Sequence, residues 1–454
     1  MKSFIKVAVV ITIALNAFFI AFPQQLTGKE QLKAVEKITV DKAIEIALKN
    51  SPYLKAVEHE KNAAQTLEKE AKSYRLPQVN FNEILMRTNN PMETFALSLS
   101  QENFSLMDLM VSDPNHPSPL NDSIMQLQVV QPLYMGGKIS HGIKAGRKMA
   151  EAGLKKYERA KQEVIFNTKT AYLNVLLAKK YVELMNNVVK TVKAHVDMAK
   201  AYFDTGFIME ADLLQAQVFL GDVKQKKIAA ENNLKLAKAY FNNVIGVNQD
   251  RNFEFVNEFN FEEKDYNLNK LLKEAIENRP DYKELSLKVE AAKHNISIEK
   301  SEYKPKLFLI GELNYHDKQF LGTEGDSFKI MAVAKFNIFN GFKTKNRVLR
   351  AKEQYKSYSK YLKQMEEGIY LQVKQAYFKF IEAKKRYKVA ELAEKQAKEN
   401  LKLREERYKK GVEKTTDLLD ADTQYIQAST QKLHALFDYL KAEENLKFMV
   451  GKIK

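Results

Sequence analysis

The sequence predicts a mainly helical chain with a small β part. It is built as two internal repeats, each with long antiparallel coiled-coil helices and one pair of strands. Three observations carry this reading: motifs that recur at fixed offsets, apolar residues that recur every seven positions, and short segments of strict alternation. Glycine (16) and proline (10) are scarce among the 454 residues, as long unbroken helices require.

The repeat comes first because it sets the order of elements. Asn50-Ser51-Pro52 recurs as Asn278-Arg279-Pro280, and Pro77 recurs as Pro305, both at an offset of 228 residues. Pro132-Leu133-Tyr134-Met135-Gly136-Gly137-Lys138 then matches Asn337-Ile338-Phe339-Asn340-Gly341-Phe342-Lys343 at an offset of 205. Gly206 with Asp212-Leu213-Leu214 matches Gly411 with Asp417-Leu418-Leu419 at that same offset. The offset falls by 23 between the two groups, so the first copy carries a longer loop near Asp113–Pro119, a turn-rich stretch. Each copy reads as helix, strand, loop, strand, very long helix, tight turn and return helix. In copy one these are residues 40–73, 78–86, 123–134, 138–203 and 209–244. In copy two they are 268–302, 306–315, 328–339, 343–408 and 414–450. The expected division is a leader at 1–23, a first repeat at 24–247, a linker at 248–267, a second repeat at 268–450 and a tail at 451–454.

The long helices follow from spacing. Val164, Ala171, Ala178, Met185, Val192 and Ala199 fall seven apart, and Thr168, Val175, Val182, Val189, Val196 and Phe203 form a partner row. Together they make a coiled-coil seam. Copy two keeps Ile369, Ala376, Ala383, Ala390 and Ala397, with Val373, Phe380, Tyr387, Leu401 and Tyr408 opposite. Glu394 and Arg404 interrupt this second seam. A helix of about 66 residues spans roughly 100 Å. Two shorter helices stacked end to end would pair along it, which puts Gly206 and Gly411 at one end and the strands at the other.

The strands alternate. Met125, Leu127 and Val129 face one way and Gln126 and Gln128 the other, while Leu307, Leu309, Leu313 and Tyr315 oppose Phe308, Ile310, Glu312 and Asn314 less cleanly. Two unlike faces suit a sheet between lipid and water, although a soluble hairpin packed on helices fits the same pattern taken alone. Four strands cannot close around a channel, and open edges in a bilayer leave backbone groups unsatisfied, so such a sheet requires several chains.

The N-terminus indicates export. Lys2 and Lys6 precede an apolar run from Val7 to Phe22, broken by Thr12 and Asn16, and the chain turns polar after Pro23. That is the pattern of a cleaved leader; the run is short for a membrane-spanning helix. Cysteine is absent, which excludes disulfides, thiolate metal sites, a cysteine nucleophile and a lipidated N-terminal cysteine. The net charge of +16 comes from 73 basic and 57 acidic residues, with the lysines dispersed among glutamates along helices. Such mixing reads as a solvated surface rather than a nucleic-acid footprint.

The motifs resemble a known family. Ala43–Pro52 reads A-I-x-x-A-x-x-N-x-P, Leu76–Gln78 reads L-P-Q, and Gln131–Gly137 reads Q-P-L-Y-x-G-G. With the glycine-then-D-L-L tips, these look like the TolC family of outer-membrane efflux proteins, over about residues 38–450. The resemblance implies a homotrimer with a twelve-stranded barrel in outer-membrane lipid and a helical barrel extending into the periplasm. It implies an exit duct of a tripartite efflux or type I secretion system, docked to a periplasmic adaptor and an inner-membrane pump. It implies a conduit and no enzyme. A periplasmic coiled-coil adaptor or scaffold is the alternative, and the paired strands of each copy argue against it.

The resemblance also implies an acidic ring at the periplasmic entrance. Asp417 and Asp420 take the matching places after Gly411, Asp212 takes the place after Gly206, and Tyr408 lies beside the second tip. Glu413 stands where relatives often carry a basic residue, so their closing links do not transfer. Gly206 and Gly411 are tip turns; Pro132, Gly136 and Gly341 are expected at strand-to-helix turns. The seven histidines show no metal spacing, and Gly136-Gly137-Lys138 lacks the upstream glycine of a phosphate loop. No cofactor is expected.

Overall fold

The computed structural model describes residues 36–111, 113–256 and 261–453. The expected leader lies outside the described residues. The first copy runs β1 (Glu36–Ile38), α1 (Val40–Asn50), α2 (Pro52–Ser73), β2 (Gln78–Thr88), α3 (Pro91–Ser100), α4 (Leu106–Val111), β3 (Leu120–Met135), α5 (Lys138–Asp204) and α6 (Glu210–Val244). Next come β4 (Phe253–Phe255), α7 (Leu268–Asn278), α8 (Pro280–Lys300), β5 (Lys306–Asp317), β6 (Gly325–Lys335), α9 (Lys343–Lys409) and α10 (Thr415–Met449).

Four boundaries differ from expectation. The first helix of each copy is two helices, split at Ser51-Pro52 and Arg279-Pro280. The residue before a proline is pushed out of the α region; Ser51 sits at ψ 115° and Arg279 at ψ 120°. Each proline then opens the next helix at its first position, where no N–H is needed. The turn-rich insert holds two short helices, α3 and α4. The linker contributes β4, which pairs in parallel with β1. Finally, β6 stops at Lys335 rather than at 339, because its neighbour β5 begins at Lys306, the partner of Lys335.

Two long helices organise the rest. Toward the strands the helix order is α2, α5, α8, α9; toward the tips it is α6, α5, α10, α9. Thus α2 and α6 both pack along α5, end to end. Of the expected seam, Val164, Ala171, Met185, Val192 and Ala199 are buried, as are Val373, Phe380, Tyr387, Leu401 and Tyr408. Where the short helices meet, Tyr172, Phe241, Phe253 and Phe255 form the centre of the main core. The Tyr172 hydroxyl donates to the carbonyls of Ile38 (2.8 Å) and Val256 (2.7 Å), tying the β1–β4 pair to α5.

All four long-hairpin helices end alike. The amide of Phe207 donates to Tyr202 O (2.8 Å) and that of Val412 to Arg407 O (3.1 Å). Val247 donates to Asn242 O (3.0 Å) and Lys452 to Lys447 O (2.8 Å). In each case the preceding residue is a glycine in the left-handed region, Gly206, Gly411, Gly246 or Gly451, the helix stop that glycine favours.

The sheet is antiparallel in the order β2-β3-β5-β6. One row across it is Phe81, Leu127, Leu313, Phe328. The rows beside it are Asn82, Gln126, Asn314, Ser327 and Asn80, Gln128, Glu312, Lys329. The polar rows are laced together: Asn82 Nδ2 donates to Gln126 Oε1 (3.0 Å), and Gln126 Nε2 to Asn314 Oδ1 (3.0 Å). Gln128 Nε2 donates to Glu312 Oε1 (2.9 Å), and Lys329 Nζ pairs with Glu312 Oε2 at 2.7 Å. The opposite face exposes Val79, Phe81, Leu127, Phe328 and Ile330. β2 and β6 are free edges. No described helix is long and apolar enough to cross a membrane.

Candidate functional site: the helix tips

The tips lie at the end of the helices farthest from the sheet. Helix α5 stops at Gly206 (φ +73°) and α9 at Gly411 (φ +71°). The two turns touch: a Cβ on Gly411 would lie 2.8 Å from the Phe207 ring. Tyr202 stacks between them, 5.6 Å from Phe207 and 5.5 Å from Tyr408, and its hydroxyl donates to Lys409 O at 3.1 Å.

The sequence-expected residues separate by role. Asp212 is the third residue of α6, and its carboxylate accepts from the Met209 amide at 3.3 Å, capping the helix start. Asp417 holds the same place in α10 and is half-buried; Asp420, one turn on, is exposed. Tyr408 is buried among Leu401, Leu418 and Ala421, with its hydroxyl 3.2 Å from Thr415 Oγ1. Within one chain it packs the tip and forms part of the wall of a cleft between the two turns, with Tyr202, Phe207 and Asp212. Gly136 and Gly341 occupy the strand-to-helix turns, both at φ +63°. Pro132 does not: it lies inside β3, where the pairing with β5 shifts register. A proline has no N–H to give the ladder, so it sits at the irregularity.

Two polar clusters were not anticipated. Glu413 is held by Arg404 and by Arg407, whose Nε lies 2.6 Å from Glu413 Oε2. Burial pushes the Glu413 carboxyl up. Hydrogen bonds with Arg404 and Asp417, and the charges of Arg404 and Arg407, outweigh burial and hold it below the usual carboxylate range. The seam-breaking Arg404 therefore has a partner across its own hairpin. Farther from the tip, His195 of α5 is buried, with Nδ1 2.8 Å from Asp422 Oδ2 on α10 and Nε2 3.1 Å from Glu405 Oε1 on α9. Burial disfavours the imidazolium, but the two carboxylates outweigh it and raise the His195 pKa. The signal was readable: His195 is seven residues from both Val188 and Tyr202, on an inward stripe, and Asp422 interrupts Leu418, Leu419 and Ile426.

These tips gather charge at two places, Glu413 with its two arginines and His195 with Asp422 and Glu405. Among the described residues no group of three His, Asp or Glu side chains could hold a metal ion.

A protein-family model described as "Outer membrane efflux protein" matches residues 43–247 and 271–452. The chain belongs to that family. It is 24% identical over 312 residues to the outer membrane protein TolC of Escherichia coli (strain K12), a match covering 65% of this chain and 62% of that protein. It is 23% identical over 345 residues to TolC of Salmonella enteritidis, covering 73% and 69%. In fold it matches the Campylobacter jejuni CmeC outer membrane channel with a TM-score of 0.76, at 18% identity over 91% of this chain and 85% of that one. The match falls in two segments separated by residues 248–270. Membership in this outer membrane efflux family makes the chain an outer-membrane channel protein and no enzyme. The family places the chain in the outer membrane with an extension into the periplasm.

Proposed function

We propose that three copies of this chain close into one exit duct of a tripartite efflux or type I secretion system. Substrates would pass to it from an inner-membrane pump through a periplasmic adaptor. One observation carries the reading: every layer of the chain ends in two unlike, unpartnered edges. β2 and β6 are free in the sheet. In the helical layers the outer members are α2 and α6 on one side and α9 on the other. Leu214, Val218 and Leu236 on α6, and Leu371, Phe378 and Val389 on α9, are exposed apolar side chains among charged ones. A free copy-one edge facing a neighbour's copy-two edge is a head-to-tail contact, which forms a ring when the rotation closes. Three sheets of four strands give a closed barrel, apolar outside and lined by the glutamine–asparagine rows. The scaffold alternative leaves the apolar sheet face and both sheet edges in water.

At the other end the three tips converge, and Asp417 and Asp420 form the acidic constriction. Asp420 is exposed and Asp417 partly so, one helical turn apart on one face. Rings of acidic side chains favour cations. Asp212, engaged as a helix cap, contributes less.

Planar-bilayer recording tests the duct. Purified protein should insert in unitary conductance steps. Inability to conduct in any lipid, from a protein that fractionates with the outer membrane, would remove the duct reading.

A further inference from the structure

Between β2 and β3 the described residues 89–111 and 113–119 make an arm that carries α3 and α4 beyond the outer end of the sheet. Its root is fixed. Gln101 Nε2 donates to Asp122 Oδ1 (2.8 Å) and to Asn121 O (2.9 Å), and Asp122 Oδ2 meets His316 Nδ1 at 2.9 Å. Gln101 and Asp122 are almost fully buried. Asp122 shares its face of β3 with Gln126 and Gln128, the polar face. The arm therefore folds onto the inner side of the sheet, away from lipid. It also crosses the sheet's full width. Asn103 Nδ2 donates to Glu324 Oε2 at 2.9 Å, and Ser100 O lies against Gly325 so closely that a Cβ there would be 1.8 Å away.

Beyond this root the arm exposes large apolar side chains among its polar ones. Met92, Phe95, Leu106, Met107, Met110 and Val111 are 47% to 83% exposed. A patch of this kind on a water-facing element calls for cover. Symmetry indicates what covers it. The β2 edge, which must pair with a neighbour, runs directly into the arm. Twelve strands spaced about 4.8 Å apart and tilted about 40° set the barrel wall roughly 12 Å from the axis. Three inward-rooted arms, each carrying exposed apolar side chains, share that narrow mouth.

We propose that the three arms pack their apolar faces together and form a plug across the outer mouth, an outer gate that cargo must part. This rests on the three-copy duct proposed above. The absence of cysteine makes the test clean. Met107→Cys and Met110→Cys, made singly, should each cross-link between copies with a short bis-maleimide, giving covalent dimers on denaturing gels. Replacing Leu106, Met107, Met110 and Val111 together by serine should raise single-channel conductance at least twofold with the oligomer mass unchanged. If the oligomer stays a trimer but neither cysteine cross-links and the serine variant conducts as the parent does, the arms do not meet and the plug is refuted. Shielding of both cysteines by lipid vesicles from a membrane-impermeant maleimide, without cross-links, would place the arm on lipid and refute it as well. A monomeric mass would overturn the duct and the plug together.

Discussion

His195→Ala removes the imidazole that joins three helices, and its effect can be worked out from the contacts. The side chain is 6% exposed and bridges Asp422, which is 2% exposed, to Glu405. Asp422 would be left as a buried carboxylate without its charged partner, a change that costs about 3–5 kcal/mol. Glu405 is partly open to water, so the lower value, about 3 kcal/mol, is expected. That is roughly a hundredfold loss of protection against local opening at about 1.4 kcal/mol per decade. The pH dependence has a definite sign. The folded-state pKa of His195 is raised, because Asp422 and Glu405 outweigh the burial that opposes charge. The tie is therefore fully present below the ordinary histidine value, about 6.5, and is lost as pH rises through the raised value. Amide exchange read by mass spectrometry over residues 195–210 and 400–422, corrected for intrinsic rates, is the assay. Protection should fall with rising pH in the parent and be low and flat in His195→Ala. Equal protection in the two proteins, or a parent profile without pH dependence, would refute the assignment of this cluster as a tie between the hairpins.

Other perturbations test other layers. Gly206→Ala should lower stability by about 1 kcal/mol, the left-handed conformation being its only obstacle. Gly411→Ala should cost more, because the Phe207 ring must also move; equal thermal shifts would contradict the contact between the tips. Leu127→Lys puts a charge on the apolar face and should destabilise the membrane-inserted protein by about 2–4 kcal/mol, measured by refolding into vesicles. Gln126→Lys, on the polar face, should be tolerated. Asp417→Ala combined with Asp420→Ala should abolish block by multivalent cations added from the tip side and remove cation preference. Unchanged selectivity would dismiss the acidic constriction and leave the duct intact.

Much of the fold was legible because it rests on repetition and period. The offset of 205 residues placed both tip glycines; the glycine motifs before Lys138 and Lys343, with the heptads that follow, placed both long helices to within a residue or two at each end. Less legible was anything that depends on a partner distant in sequence. The β1–β4 pair joins residues some 217 positions apart in two three-residue segments, too short for any period to show. The proline split at Ser51 was written in the motif, yet the apolar spacing runs through it and suggested one helix. At the tips, the acidic residues were visible as types but not as roles: Asp212 caps a helix, and Tyr408 packs inside. Arg404 looked like a fault in the seam because its partner, Glu413, lies beyond the turn. The arm was hidden by its own composition, since proline and asparagine there signal turns and mask two short helices.

Native mass spectrometry of the purified protein in detergent tests the central claim most directly, because closure of the duct requires a fixed number of chains. A duct closed by three copies gives a single species at three times the mass of the mature chain, with conductance confined to it. A monodisperse monomer that conducts ions would show that four strands with free edges suffice, and would contradict it.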